Sequence, residues 1–198
     1  MKNGPHRIRL LDLLRRDGLY RGEVELSSGA HSNYYVDGKM VTLSPEGAWL
    51  TAQLVLDLLA DEDLHPDAIG GLTIGADPIV AAVACISHER GKPIPAFIVR
   101  QERKLHGKQK LIEGPLARDS DVVIVDDVVT KGGSIRGAIE AAEDFGCRVV
   151  KVIALVDRLE GAAEEKLRGY SFTSIFTRDD LLETNERTRA EAAKGTLR

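Results

Sequence analysis

Residues 121–138 read DVVIVDDVVTKGGSIRGA, and this stretch decides the fold. Its apolar, β-branched run at 122–125 predicts a strand that is buried on both faces of a parallel sheet. Two acids, Asp126 and Asp127 (the acid pair), stand where that strand is expected to end. A turn rich in glycine and hydroxyl groups follows at residues 130–134 (the glycine loop). Acids beside such a loop can hold sugar hydroxyls or a divalent cation, so the stretch predicts a ligand site.

A helix is expected to follow the glycine loop, with Ser134 as its N-cap and Gly146 as its end. Backbone N–H groups and the positive end of the helix dipole make such a helix start a site for anions. A nucleotide P-loop is excluded, because Ala138 stands where that motif requires Lys. A purely structural interpretation stays open, in which two acids end a strand and two glycines form a turn.

The composition, 43% hydrophobic and 29% charged, is that of an ordinary globular protein. One domain is predicted over residues 1–198, with a helix and a hairpin in residues 1–43 and a polar tail at 184–198. The net charge of −4 argues against general binding to nucleic acid or membrane surfaces, and no apolar run is long enough to span a bilayer. Cys85 and Cys147 lack metal-like spacing and are expected to be reduced core residues of a cytoplasmic protein.

The rest of the chain alternates short apolar strands with amphipathic helices. This alternation predicts an α/β fold: a parallel β-sheet core flanked by helices on both faces, with a small N-terminal hood that includes a hairpin at 22–37. Ser44 and Pro45 are expected to start a helix that buries Trp49, and Asp77 is expected to cap another. Ligands of such sheets bind at the carboxyl ends of the strands. The charged residues expected at those ends are Asp77, Arg100, Asp126, Asp127 and Arg158.

The stretch at 121–138 resembles the signature for 5-phosphoribosyl 1-diphosphate (PRPP) in the type I phosphoribosyltransferases. That signature is an apolar strand, two acids, two apolar residues, Thr and a loop of small residues. The resemblance implies the type I phosphoribosyltransferase fold and a PRPP molecule bound along the whole signature. The PRPP-binding residues that it implies here are Asp126, Asp127, Val128, Val129, Thr130, Lys131, Gly132, Gly133 and Ser134.

A second stretch, LSSGAHSNYY at 26–35, resembles the N-terminal hairpin that lids the pyrimidine in orotate phosphoribosyltransferases. Tyr34 and Tyr35 point to opposite faces of their strand, so only one is expected in the core. Packing of both aromatic rings within a small hairpin is the alternative. Ser27 stands where some members of the family have a Lys that contacts orotate. The orotate-binding residues that the resemblance implies are Tyr34, Tyr35, Thr130 and Arg158.

The run RQERKLHGKQK at residues 100–110 (the basic loop) is strongly basic. A solvated loop is the simplest interpretation, but long polar segments inside a compact α/β pattern are often active-site lids. The run resembles the mobile catalytic loop of orotate phosphoribosyltransferases, R-K-x-x-K-x-H-G. Gln101 replaces a Lys that is usual in that motif. The further PRPP-binding residues that the resemblance implies are Arg100, Gln101, Lys104 and His106.

Together these resemblances imply an orotate phosphoribosyltransferase, a pentosyltransferase of de novo pyrimidine (UMP) biosynthesis. It would convert PRPP and orotate to orotidine 5′-monophosphate and diphosphate. Lys104, His106 and the acid pair are the implied catalytic residues, and Mg²⁺ is the implied cofactor, held mainly by PRPP near Asp126 and Asp127. A homodimer is expected, in which the basic loop acts in trans on the partner's site. The expected partners are these small molecules, with no nucleic acid and no membrane.

Two alternatives stay open. A phosphoribosyltransferase for a purine or another base would carry the same PRPP signature, and only the hairpin, the basic loop and Arg158 argue for orotate. A catalytically silent, PRPP-sensing module that binds RNA or DNA is disfavoured by the net charge and by the presence of Lys104 and His106.

Overall fold

The computed structural model of the chain describes residues 4–25, 31–101, 111–159 and 165–183. The predicted polar tail at 184–198 lies outside these residues, as do Ser27 and most of the basic loop. The single-domain assignment therefore stays a prediction. The elements are helices α1 Pro5–Leu13 (continued by a π-helical turn, Leu14–Gly18), α2 Lys39–Thr42, α3 Pro45–Asp61, α4 Asp77–Glu89, α5 Gly133–Phe145 and α6 Arg178–Leu182, and strands β1 Leu19–Glu25, β2 His31–Val36, β3 Ala68–Leu72, β4 Ala96–Val99, β5 Ile112–Glu113, β6 Asp121–Val129, β7 Arg148–Asp157 and β8 Phe172–Thr177.

A six-stranded sheet forms the centre of the molecule, in the order β5-β4-β3-β6-β7-β8. Every neighbouring pair is parallel except β4 and β5, which are antiparallel. The predicted parallel α/β sheet is thus confirmed. The short antiparallel edge strand β5 was not predicted, because two residues are too few to show a strand pattern.

Helices cover both faces of the sheet, as predicted. Along β6, Val122 and Ile124 pack in one cluster with α5, while Val123 and Val125 pack in another with α3 and α4. Side chains alternate between the two faces of a strand, so the unbroken apolar run of β6 supplies both layers.

The N-terminal hood packs at the β8 side of the sheet. The antiparallel hairpin of β1 and β2 confirms the predicted one, although β1 already begins at Leu19. Leu10 and Leu14 of the first helix are fully buried and pack with Val36 of β2 and Phe176 of β8. The hood is therefore held to the sheet by its own apolar cluster.

Two predictions of burial are wrong. Trp49 is 42% exposed, and its ring meets the edge of His6 from α1 at a centroid distance of 5.0 Å. Cys85 is exposed because it lies off the stripe formed by Val80, Val83 and Ile86, which faces the sheet; Cys147 is buried as expected, and both thiols are free. Among the helices of the described residues, none has the length and apolar character needed to cross a membrane.

Candidate active site

The acid pair lies beside the end of β3, where the sheet opens. Pairing of β3 with β6 stops at Gly70 and Ile124, whereas β7 continues to pair with β6 as far as Val129. The prediction that β6 ends before the acids is therefore wrong: the strand runs through them, because β7 still supplies hydrogen-bond partners. On the β3 side, the chain turns away and leaves the acids facing a turn.

Both carboxylates are held by backbone amides. Asp126 Oδ1 accepts a hydrogen bond from the N–H of Asp127 at 3.0 Å, and Asp127 Oδ1 accepts one from the N–H of Val128 at 2.9 Å. The turn after β3 packs directly against them. A Cβ on Gly75 would lie 2.5 Å from Asp127 Oδ1 and 2.7 Å from Asp126 Oδ1, so only glycine fits there. Each acid is only 6% exposed, which makes the pair a fixed and nearly dry anionic group.

Burial and the neighbouring charge of Asp127 together raise the pKa of Asp126 to about 8. Burial is the larger cause, since a carboxylate loses hydration when it is removed from water. The pair therefore binds a proton more tightly than exposed acids do.

Sequence analysis missed a cation at this site, Lys39. Its Nζ lies 2.9 Å from Asp37 Oδ1 and 3.4 Å from Asp127 Oδ2. Burial opposes the charge of Lys39, but the hydrogen bond that its ammonium donates to Asp37 and the charge of Asp127 outweigh it and raise the pKa of the lysine. The only signal was that Asp37-Gly38-Lys39 begins two residues after the tyrosine pair of the hairpin.

The glycine loop leads into α5 at the same end of the sheet. Gly132 precedes the helix with φ at 69°, in the left-handed region that glycine adopts without strain. The prediction of Ser134 as N-cap is wrong, because α5 already begins at Gly133 and Ser134 lies in its first turn with no capping hydrogen bond. Gly146 ends α5 as predicted, with φ at 101°. Lys131, Gly133 and Ser134 are exposed, so the start of the helix is open to a ligand.

A polar cavity of about 490 Å³ lies on the far side of the Gly75 turn. The prediction that Asp77 caps α4 is wrong, because Asp77 is the first residue of that helix. Its Oδ2 accepts a hydrogen bond from the Thr73 hydroxyl at 2.7 Å. Asp77 Oδ1 and Arg100 Nε are buried and have no hydrogen-bond partner within the described ranges. Such buried polar atoms are normally satisfied, so they leave hydrogen-bonding capacity in this cavity for ordered water or a polar ligand. The lining residues are Thr73, Asp77, Ile98, Arg100, Gln101 and Glu113.

Arg158 lies on the other side of the acid pair, directly after β7, and is 4% exposed. Its backbone N–H donates to the carbonyl of Val129 at 3.0 Å, which fixes it beside the start of the glycine loop. Its guanidinium lies 4.8 Å above the ring of Tyr34, and Nε donates to the Tyr34 hydroxyl at 3.4 Å. Tyr35 points to the opposite face and packs on Tyr20, with ring centroids 6.3 Å apart. Only Tyr34 thus faces the site.

The structure brings most of the predicted site residues to one edge of the sheet. The acid pair, the glycine loop, Arg158, Tyr34 and the cavity with Arg100 and Gln101 all lie at or beside the carboxyl ends of β3, β4, β6 and β7. Lys104 and His106 fall outside the described residues.

Comparison with known proteins agrees with this arrangement. Residues 47–181 match the family model of the phosphoribosyl transferase domain. The orotate phosphoribosyltransferase of Streptomyces avermitilis is 42% identical over 87% of this chain and 94% of its own length, and that of Nostoc sp. is 45% identical over 88% and 84%. The chain belongs to the orotate phosphoribosyltransferases.

A solved structure of this family extends the likeness to three dimensions. The orotate phosphoribosyltransferase of Mycobacterium tuberculosis, crystallised in complex with PRPP, is 39% identical and superposes with a TM-score of 0.74, covering 89% of this chain and 99% of that one. The predicted family and fold are thus confirmed, while the roles of individual residues stay predictions.

The raised pKa of Asp126 makes stability depend on pH in a defined direction. The folded acid keeps its proton up to about pH 8, whereas an unfolded Asp loses its proton near pH ~3.9. Between these values the folded state binds more protons, so the free energy of unfolding falls as pH rises. The stability of wild type relative to Asp126→Asn, measured by urea unfolding without metal, should therefore fall from about pH 4 to about pH 8.

Asp121→Asn is the matched control. The hydrogen bond from Arg148 lowers the pKa of Asp121, so the stability that the ionised Asp121 contributes is lost only in acid. The difference in the free energy of unfolding between wild type and Asp121→Asn should therefore stay level between pH 5 and pH 8, roughly the range above ordinary carboxyl titration. If the difference in the free energy of unfolding between wild type and Asp126→Asn also stays level over this range, the raised pKa of Asp126 is contradicted.

Proposed function

We propose that the protein transfers the phosphoribosyl group of PRPP to orotate and releases orotidine 5′-monophosphate and diphosphate, a step of de novo pyrimidine biosynthesis. The observation that carries this proposal is the position of the acid pair. It lies at the same end of the sheet as a glycine loop at a helix start, which suits a phosphate, and a buried arginine beside that loop, which suits a carboxylate. A phosphorylated sugar bound across the acids would thus point its reactive carbon toward a base at Arg158.

Each part of the two substrates has a matching part of the site. The amides of the glycine loop would bind the 5′-phosphate, and the acid pair would accept hydrogen bonds from the ribose hydroxyls. Arg100 and Gln101 would bind the diphosphate in the polar cavity, with Lys104 and His106 from the basic loop. Orotate would lie against Thr130 and against Tyr34 in the hood, and its carboxylate would meet the guanidinium of Arg158; Tyr35, which packs on Tyr20 at the opposite face, would not contact it.

The charges of the site suit the bond that breaks. Cleavage of the bond between the ribose and the diphosphate oxygen leaves positive charge on the sugar and negative charge on the leaving group. The acid pair would stabilise the sugar, while Arg100 and Lys104 would stabilise the diphosphate by fixed electrostatic complementarity. His106 would donate a proton to the leaving diphosphate, since histidine titrates near neutrality. Orotate N1 forms the new bond to the ribose, so the protein supplies no covalent nucleophile.

The donor set fits a Mg²⁺ ion that is held mainly by PRPP. Within the described ranges, no three His, Cys, Asp or Glu side chains come together as a metal site. The acid pair offers two carboxylates beside the sugar position, enough to supplement oxygens of the substrate. When bound, Mg²⁺ neutralises negative charge on the diphosphate.

Purified protein incubated with PRPP, Mg²⁺ and a panel of bases should turn over orotate in preference to adenine, hypoxanthine and uracil. Asp127→Asn should lower kcat/KM by roughly 10²–10³, as loss of one preorganised charge does in other enzymes. Turnover of a purine instead would favour the alternative base specificity. PRPP binding without turnover of any base would favour a sensing module.

Arg158→Leu should raise the KM for orotate far more than the KM for PRPP. A site built for a charged partner discriminates strongly when that partner is lost. Arg148→Leu is the matched control, because Arg148 starts the same strand at the opposite edge of the sheet and pairs with Asp121 at the surface. Equal increases in both KM values would place Arg158 at the phosphates or in a structural role.

We also propose a homodimer in which the basic loop of each subunit acts on the partner's site. Lys104→Ala and Asp127→Asn, each strongly impaired alone, should regain activity when mixed under conditions of subunit exchange, because one site of the mixed dimer then has both residues intact. Mixed dimers that are verified by mass spectrometry but stay as inactive as the single variants would show that the loop acts within its own subunit.

A further inference from the structure

Lys39 connects the hood to the acid pair. It is the first residue of α2, and its ammonium lies between Asp37 of the hood, at 2.9 Å, and Asp127 of β6, at 3.4 Å. The lysine is about one-third exposed and Asp127 is almost fully buried, so the ion pair lies at the rim of the site, where a ligand can reach it.

The backbone around Lys39 is shaped for this contact. Asp37 Oδ1 also accepts the backbone N–H of Lys39 at 3.1 Å, and the N–H of Asp37 donates to the carbonyl of Gly18 at 2.9 Å. Gly38 permits the close approach, since a Cβ there would lie 2.9 Å from the Cβ of Asp127. Asp37 of the hood thus holds Lys39 in place beside Asp127.

The two oxygens of Asp127 therefore have different partners. Oδ1 accepts the amide of Val128, and Oδ2 faces Lys39, so both ends of the carboxylate are fixed. Without the lysine, Asp127 would keep one amide bond and would stand beside a second buried acid with no cation from the hood. Its Oδ2 would then have lost its charged partner, and the orientation of the carboxylate would be fixed at one end only.

We propose that Lys39 is a positioning residue for the transfer reaction, which orients the carboxylate of Asp127 toward the ribose. This inference rests on the proposed function, because it assigns Lys39 a task only in a site where the acid pair binds the sugar. Lys39 acts through Asp127 and not by direct contact with the diphosphate. It also ties the hood, which carries Tyr34, to the acids.

The test is a double-mutant cycle between Lys39→Met and Asp127→Asn. Lys39→Met should lower kcat by about 10- to 100-fold, the range seen when a group that orients a functional ligand is removed. Lys39→Arg keeps the charge and should recover most of this loss. In the Asp127→Asn background, Lys39→Met should have no further effect, because residues that act through one another are non-additive. Lys92→Met, at an exposed lysine beyond the end of α4, is the control and should match wild type.

Three outcomes would overturn the proposal. Equal fold-losses from Lys39→Met in both backgrounds would show that Lys39 acts independently of Asp127. A Lys39→Arg variant as impaired as Lys39→Met would show that charge is not what matters. A rise in the Kd for diphosphate with kcat unchanged would make Lys39 a substrate ligand. Thermal unfolding of each variant verifies that it is folded, and Lys39→Gln replaces Lys39→Met if the latter is not.

The same double-mutant cycle, measured by the binding of PRPP instead of by turnover, separates this proposal from the proposed function. The Kd of PRPP with Mg²⁺, measured by calorimetry in the absence of any base, should rise with Lys39→Met only while Asp127 is present. If the PRPP Kd values show this coupling between Lys39 and Asp127 but wild type does not turn over orotate, the assignment of Lys39 stands and the assignment of the base fails. If wild type turns over orotate and neither reading shows coupling, the assignment of Lys39 fails alone.

Discussion

Two acidic side chains are buried side by side at the end of the sheet, and the rest of the site is arranged to hold them there. Their backbone amide partners, the lysine from the hood and the two glycines that approach them closely all serve to hold the pair in place. Gly75 and Gly38 matter because they allow the β3 turn and the hood to touch the acids without a side chain between them. The raised pKa of Asp126 reflects first its burial in this arrangement and then the charge of Asp127.

Much of the fold could be predicted from local patterns. The β-branched run of β6 requires cover on both faces, and its alternate residues do pack against α5 on one side and against α3 and α4 on the other. Gly146 ends α5 because it adopts a left-handed conformation there. The edge of the sheet that carries the site was also predictable, since strands that run in parallel bring their carboxyl ends together.

The features that could not be predicted depend on partners far along the chain. The acids belong to β6 only because β7 extends beside them, and no local pattern contains that information. Lys39 meets an acid that lies 88 residues later, so its role is invisible in a local reading. Ser134 does not cap α5, because the left-handed Gly132 directly precedes the helix and Ser134 already lies in its first turn.

On the proposed role of Arg158 as the residue that binds the base, its contact with Tyr34 has a consequence for selectivity. The guanidinium already has a partner inside the protein, so a base that binds it must compete with the tyrosine. Tyr34 offers one neutral oxygen at the long distance of 3.4 Å, whereas a carboxylate offers two charged oxygens that match the guanidinium fork. An anionic base gains by this exchange, and a neutral base gains little. The contact with Tyr34 would then favour an anionic base over a neutral one.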